Sequence, residues 1–309
     1  MDKIHIIIVT YNAMPWLSKC LESTKPYDVV VVDNNSTDET VNFIKANYPE
    51  ITLLPQSKNL GFGAANNIGI SYALKQDADY VFLLNQDAYL GEDTIEKLIE
   101  THKKNDIYGI LSPIHLNGKG DRLDQNFSYY LNYNENPDFY SDFILNKPLP
   151  VVYEVPFVNA AGWLISKKCM ETVGGFDPVF YHYGEDDNYC QRVLFHDLKI
   201  GVVPHVFLKH DRENRIFKQD PDGDIGTFSR QERAIKMKYA NINKEDFNEV
   251  KTLIKKSNKA AIKSLLKLRF KSSKFYRLEA ELLKKIYPEI EKSRLLNKTK
   301  GPTYLDLLD

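Results

Sequence analysis

Up to about residue 110 the chain alternates short continuous apolar runs with longer stretches whose apolar residues recur at helical spacing. The runs "IHIIIV" (4–9), "DVVVVD" (28–33), "ITLLP" (51–55) and "DYVFLL" (79–84) read as strands, and the segments around 16–24, 38–47, 64–76 and 92–104 as the helices between them. Strands that are apolar without alternation are buried on both faces, so the pattern predicts an α/β domain with a mostly parallel sheet covered by helices. Ligands of open sheets of this type sit at the carboxyl ends of the strands. Here those ends are "VTYNA", "VVDNNSTDE" and "LLNQDAYL", each polar and each carrying Asn or Asp.

The residues at these strand ends exclude several common chemistries. The first strand runs into Thr10, Tyr11, Asn12, Ala13, Met14 and Pro15 with no glycine, which speaks against a dinucleotide fingerprint. Neither a P-loop nor a G-x-S-x-G elbow occurs. The three cysteines, Cys20, Cys169 and Cys190, are far apart and form no C-x-x-C pair, so reduced thiols in a cytosolic setting are expected. The apolar run after Met1 is too short for a signal peptide, and no segment approaches the ~20 apolar residues of a membrane span.

Six ordered segments carry a resemblance: "IIIVTYNAMPWLSKCLES", "VVVVDNNSTDET", "NLGFGAANNIG", "FLLNQDAYL", "NAAGWLISKKCMETVGGFD" and "YGEDDNYCQR". Over roughly residues 3–212 the chain resembles the inverting glycosyltransferases of family 2, with the GT-A fold, and within them a rhamnosyltransferase-like branch. The resemblance implies sugar transfer, with inversion, from a UDP- or dTDP-linked donor to a hydroxyl of a glycan or lipid-linked acceptor, in surface polysaccharide synthesis.

It also implies roles, each beside a plainer reading. Asp33 can accept the imide N–H of uracil or thymine, and with Thr10, Tyr11 and Asn12 it would line the nucleoside pocket; Ser36 or Asp38 would cap the next helix. Gly61 permits close backbone approach to an anionic or polar ligand, and Asn59 and Asn66 are candidates for nucleotide contacts. "NQD" stands where the family has D-x-D: Asp87 would hold a divalent cation, Mn²⁺ or Mg²⁺, with Asn85 and Gln86 facing the nucleotide sugar. The neutral Asn85 leaves one carboxylate fewer than usual, and an Asx-turn is the plainer reading of the stretch. In the family's E-D-x-D element Asp186 takes the place of the catalytic base, with Glu185 beside it, Asp187 toward solvent, and Asn188 instead of the final acid. Arg192 would reach a phosphate or form a plain salt bridge. His210 matches a metal- or diphosphate-binding histidine, with His205 as its competitor. Asn159, Gly162 and Trp163 fall in the part that shapes the acceptor pocket, where Trp163 either stacks on a sugar or fills the core rim.

Charge divides the chain. Residues 251–300 hold 16 Lys and Arg against 4 Glu, whereas residues 1–250 hold 25 against 36 acids. Residues 1–220 are therefore read as the transferase domain, with a nucleotide-binding half (1–110) and an acceptor and catalytic half (111–220), and residues 221–309 as a basic helical region. Pro221, Gly223 and Gly226 punctuate the boundary, and residues 117–150 read as an excursion near the acceptor. Residues 245–300 either pair as helices with lysines in solvent or lie on an anionic membrane, which would make a cytoplasmic enzyme peripheral; nucleic acid is not expected. Two other functions stay open. One is a non-catalytic sugar-nucleotide or glycan-binding scaffold, for which Asn85 and Asn188 speak, and the other a nucleotidyltransferase, against which "TYNAMPW" speaks.

Overall fold

Ile6, Ile7 and Ile8 point to alternate sides yet are all fully buried, and this makes Ile4–Thr10 a central strand, β1. The computed structural model describes residues 2–213 and 223–308. From β1 the chain passes through α1 (Leu17–Glu22), β2 (Asp28–Asp33), α2 (Thr40–Asn47), β3 (Thr52–Pro55), α3 (Phe62–Lys75) and β4 (Tyr80–Asn85). β5 (Ala88–Leu90), α4 (Thr94–Lys104) and β6 (Tyr108–Asn117) follow. The excursion after β6 is built from two short helices, α5 (Gln125–Tyr130) and α6 (Pro137–Ile144). Next come β7 (Tyr153–Glu154), β8 (Gly162–Ser166), α7 (Lys167–Val173), α8 (Glu185–Phe195) and β9 (Lys199–His210).

The nine strands form one sheet in the order β3-β2-β1-β4-β8-β6-β9-β5, with β7 on β9. The first four pair in parallel, β8 runs antiparallel to β4 and β6, and β5 runs antiparallel to β9. The sheet is thus mostly parallel, as the pattern predicts. On one face Ile7, Val81 and Leu83 pack with Ile70 of α3 and Tyr189 and Val193 of α8. On the other, Ile6, Ile8, Phe82 and Leu84 pack with Leu17 of α1 and Leu98 of α4.

This topology determines where a site can form. The chain leaves β1 toward β2 and β3 and returns to β4 on the other side, so the order reverses between β1 and β4. Thr10 lies opposite Asp33, and Val9 opposite Asn85. Because β8 is antiparallel, its beginning meets the end of β4, where the Asn85 N–H donates to Ala161 O. The end of β9 joins the same edge, with the Asp211 N–H donating to Asp87 O at 2.7 Å.

Two compact units divide the chain: Met1–Ile216 with Lys300–Asp309, and Phe217–Thr299. Residues 300–309, read from sequence as part of the helical region, belong to the first unit. There Gly175 N–H donates to Thr303 O, Asp306 N–H to Ser71 Oγ, and Lys75 Nζ to Leu308 O. The second unit is helical, with α9 (Gly223–Tyr239), α10 (Glu249–Leu266) and α11 (Phe270–Asn297). Gly223 and Gly226, read as loop punctuation, lie within α9, and Pro221 lies outside the described residues. α10 and α11 form an antiparallel hairpin, fastened by Ser257 Oγ to Glu279 and Ser273 Oγ to Ala261 O. Inside this unit Arg294 donates to the carbonyls of Tyr239, Asn241 and Lys244.

Candidate active site

The ends of β1 and β2 are tied by side chains. Asp33 is buried; Oδ1 accepts the hydroxyls of Thr10 (2.9 Å) and Ser36 (2.5 Å), and Oδ2 accepts the Ser36 N–H (2.9 Å). A carboxylate offers about four acceptor directions, so Oδ2 retains room for one further donor. Thr10 is buried with its hydroxyl directed to Asp33, so it supports the pocket rather than lining it. Ser36 does not cap α2; it joins Asp33 to the Asn12 N–H, and Asp38 accepts the Thr40 N–H instead. Asn12, at φ 51°, accepts the Thr37 N–H through Oδ1. Gln86 clasps the backbone of Tyr11, accepting its N–H at 2.7 Å and donating to its carbonyl at 3.3 Å. That clasp leaves the Tyr11 ring 46% exposed at the sheet edge, where a base could stack on it.

The loop before α3 is held by a residue without a role in the sequence reading. Asn34 accepts the Leu60 N–H and donates to Asn59 Oδ1 and Gly61 O. Asn59 Oδ1 also accepts the Gly61 N–H at 2.9 Å and the Tyr181 hydroxyl at 3.3 Å. The Gly61 N–H is therefore engaged within the loop and is not offered to a ligand. What requires glycine is its φ of 84° and the Tyr181 carbonyl, which a Cβ would meet at 1.9 Å. Asn66 is buried and donates back to Phe62 O. Its neighbour Asn67 clasps Phe176, donating to its carbonyl and accepting its N–H at 2.6 Å.

At the end of β4, Asp87 and His210 meet, with Oδ1 and Nε2 3.3 Å apart and both residues buried. Asn85 Nδ2 lies 3.5 Å from the same Nε2, so the neutral residue of "NQD" shares the cluster. His205 is in β9 but exposed, and it is His210 that lies beside Asp87. The His210 Nδ1 faces Asp124 Oδ2 at 4.0 Å. Asp124 caps α5 through the Phe127 N–H and approaches Arg212 Nε to 3.0 Å, an ion pair by proximity rather than an aligned hydrogen bond. His115 packs edge-on against His210, and burial holds its imidazole well below the ordinary histidine range. Among the described residues no group of three His, Cys, Asp or Glu could hold a metal ion. One carboxylate, one imidazole and the Asn85 amide still suit a Mn²⁺- or Mg²⁺-like ion that takes its other ligands from phosphate and water oxygens.

Asp186 sits in the first turn of α8, behind Gly184 at φ 93°. Burial pushes its carboxyl above the usual aspartate range, while backbone donors at Asp187 and Ala160 and the positive Arg212 pull it back. Arg212, paired with Asp124, thus also lends positive charge to Asp186. Asp187 is half-buried rather than turned to solvent, and burial together with Asp186 pushes it up to about 7. Glu185 is buried against the start of α3, beside Gly63. Tyr130, from the excursion, has its hydroxyl pushed up first by burial and then by the negative Asp186, and its ring meets Phe157 edge-on at 5.0 Å.

Three expected ligand contacts are core residues. Arg192 is fully buried and donates to Asn188 Oδ1 (3.1 Å), Val173 O (2.9 Å) and Gly175 O (2.6 Å), so it anchors α8 and reaches no phosphate. Trp163 is fully buried, stacked on Phe176 at 6.1 Å and tilted against Tyr189 at 5.8 Å. Gly162 is packed between Leu208 and Phe82 inside the sheet. Helix periodicity sends Arg192, and strand alternation Trp163, into the body, a choice the family motif alone does not reveal. Asn159 is nearly buried beside His115. Asp124, Arg212 and Tyr130 were missed; for Asp124 the signal was its capping position three residues before Phe127.

Comparison with known proteins finds relatives in sequence and in fold. The chain is 26% identical over 217 residues to the dTDP-rhamnosyl transferase RfbF of Shigella flexneri, covering 68% of this chain and 69% of that one. It is 27% identical over 223 residues to the N-acetylglucosaminyl-diphospho-decaprenol L-rhamnosyltransferase of Mycobacterium tuberculosis, covering 62% of this chain and 70% of the other. Among solved structures, GalNAc-T7 with UDP, GalNAc and Mn²⁺ aligns with a TM-score of 0.61 at 15% identity, over 98% of this chain and 56% of that one, a likeness of fold. The sequence model for "Glycosyl transferase family 2" matches residues 5–164, which include Asp33 and Asp87 and end before Asp186. With a GT-A sheet, and with that match spanning more than half of its length, the chain belongs to glycosyl transferase family 2 and is a nucleotide-sugar glycosyltransferase.

Proposed function

We propose that this enzyme transfers a deoxyhexosyl or hexosyl group, with inversion, from a dTDP- or UDP-linked donor to a hydroxyl of a glycan or lipid-linked acceptor in surface polysaccharide synthesis. The observation that carries the reading is the convergence, at one edge of the sheet, of the Asp87–His210 pair with Asp186, linked through Asp124 and Arg212. The names of the two bacterial relatives support rhamnose as the sugar and a diphospholipid as the acceptor carrier.

In this reading Tyr11 and Asp33 bind the base, with Asp33 Oδ2 accepting the imide N–H. Asp87 and His210, with Asn85, would hold a divalent cation, which when bound supplies positive charge to the departing diphosphate. Asp186 takes the proton from the acceptor hydroxyl as that oxygen attacks the anomeric carbon from the face opposite the nucleotide. Its raised proton affinity suits this task, because the base must hold the proton once it is taken. Transfer should therefore decline as pH falls through the raised value. Asn59 and Gln86 act one step back, by holding the loops that carry Gly61 and Tyr11. Residues 245–300 would bind an anionic membrane from the cytoplasmic side, the surface that carries a lipid-linked acceptor.

The test is calorimetric binding of UDP, dTDP and GDP with and without Mn²⁺ to the wild type, Asp87→Ala and Asp186→Asn. The expected result is cation-dependent binding of one nucleotide, lost in Asp87→Ala and kept in Asp186→Asn, with transfer lost in both. Binding that survives Asp87→Ala unchanged, or transfer that survives Asp186→Asn, would overturn the assignment.

A further inference from the structure

In the second unit, apolar side chains and positive charge collect at one place, the turn between α10 and α11. The helices pack on each other up to the Ser273–Ala261 hydrogen bond, and beyond it residues 265–272 are all exposed. Leu266 is 80% exposed, Leu268 75% and Phe270 65%, with Ile262, Leu265 and Phe275 also open to solvent. These six include most of the large exposed apolar residues described in this unit, and all lie within fourteen consecutive positions. Around them the charge has one sign: from Val250 to Leu278 the sequence holds ten Lys and Arg and no Asp or Glu.

An apolar cluster left open on a folded unit marks a contact surface. Its setting indicates the partner. Nucleic acid would use the cations but has little use for Leu266, Leu268 and Phe270 at a helix turn. A lipid surface uses both, since the apolar tip enters the acyl boundary while flanking lysines extend to anionic headgroups. We propose that the α10–α11 turn is a membrane-insertion tip, with Leu266, Leu268 and Phe270 as the inserted residues and Lys263, Lys267 and Lys271 as the headgroup contacts. No helix among the described residues is long and apolar enough to cross a membrane. The proposal deepens the membrane-side reading of residues 245–300 and rests on it for its purpose, but its test involves no sugar transfer.

The full chain is sedimented with vesicles of phosphatidylcholine alone and of phosphatidylcholine mixed with phosphatidylglycerol. Wild type is expected to bind the mixed vesicles in a salt-sensitive manner, and the double variant Leu266→Glu, Phe270→Glu to partition at least about tenfold less. Both positions are exposed, so the variant should fold, and circular dichroism checks that it does. Leu266→Trp supplies an independent reading, a blue shift of its emission on adding mixed vesicles. Wild type remaining in the supernatant, a double variant that binds as wild type, or no blue shift would overturn the proposal. So would duplex DNA or RNA binding more tightly than vesicles while remaining indifferent to the double variant. Vesicle binding without any detectable transferase activity would instead count against the proposed function and leave the tip standing.

Discussion

Arg192→Leu separates the two roles that Arg192 could play. The side chain is fully buried and its three hydrogen bonds go to Val173 O, Gly175 O and Asn188 Oδ1. Leucine fills much of the volume but leaves those three acceptors without donors, at about 1–3 kcal/mol each. Relief from burying a charge offsets part of this, so a net loss of about 3–5 kcal/mol is expected. Trp16 and Trp163 both lie in the first unit, so tryptophan fluorescence in urea follows that unit alone. With a slope of about 3 kcal/mol per molar urea, the midpoint should drop by roughly 1 M or more. Arg192→Lys should fall between, because one ammonium cannot repeat the three-way fork. A midpoint that stays at the wild-type value while the Michaelis constant for donor rises tenfold or so would refute the reasoning and return Arg192 to the phosphates.

Gly61→Ala should lower both stability and activity: its backbone (φ 84°, ψ 169°) is in a region essentially restricted to glycine and alone costs about 1–3 kcal/mol, and the new Cβ displaces the Tyr181 carbonyl, as a thermal melt and a transfer assay would register. Asp187 is pushed from 3.8 to about 7, so the folded chain retains a proton that the unfolded chain gives up; this favours the fold below about pH 4 and the advantage disappears as pH rises toward 7. Asp187→Asn should therefore flatten the decline of melting temperature across that window, and an unchanged slope would contradict the burial of this carboxyl.

The first half of the fold was legible because β1, β2 and β4 are buried on both faces and advertise themselves as unbroken apolar runs; β3, a partly exposed edge strand, carries a shorter run of the same kind, and the helices between them follow the pattern closely. Past residue 110 the chain inserts β8 antiparallel between β4 and β6, a choice made by tertiary pairing that no local signal carries. Asp87 and His210 stand 123 positions apart in sequence and meet at 3.3 Å through the pairing of β5 with β9. What remained hidden was direction. Arg192 and Trp163 occupy motif positions, yet helix and strand geometry turn both into the core, while Asn34 and Arg212 gained their roles only when distant loops came together.

The docking of residues 300–308 on α3 and α7 gives the first unit an unusual timetable. Ser71 waits for Asp306 and Lys75 for Leu308, partners 235 and 233 positions later. Gly175, whose carbonyl receives Arg192, waits for Thr303. A ribosome adding roughly 5–20 residues per second needs on the order of ten seconds to pass from residue 216 to residue 300, and in that interval the whole helical insert emerges. The turn that anchors α8 therefore gains its last backbone partner only after the insert has been made, so a nascent chain stalled within the insert would carry every residue of the candidate site without the finished support beneath Asp186.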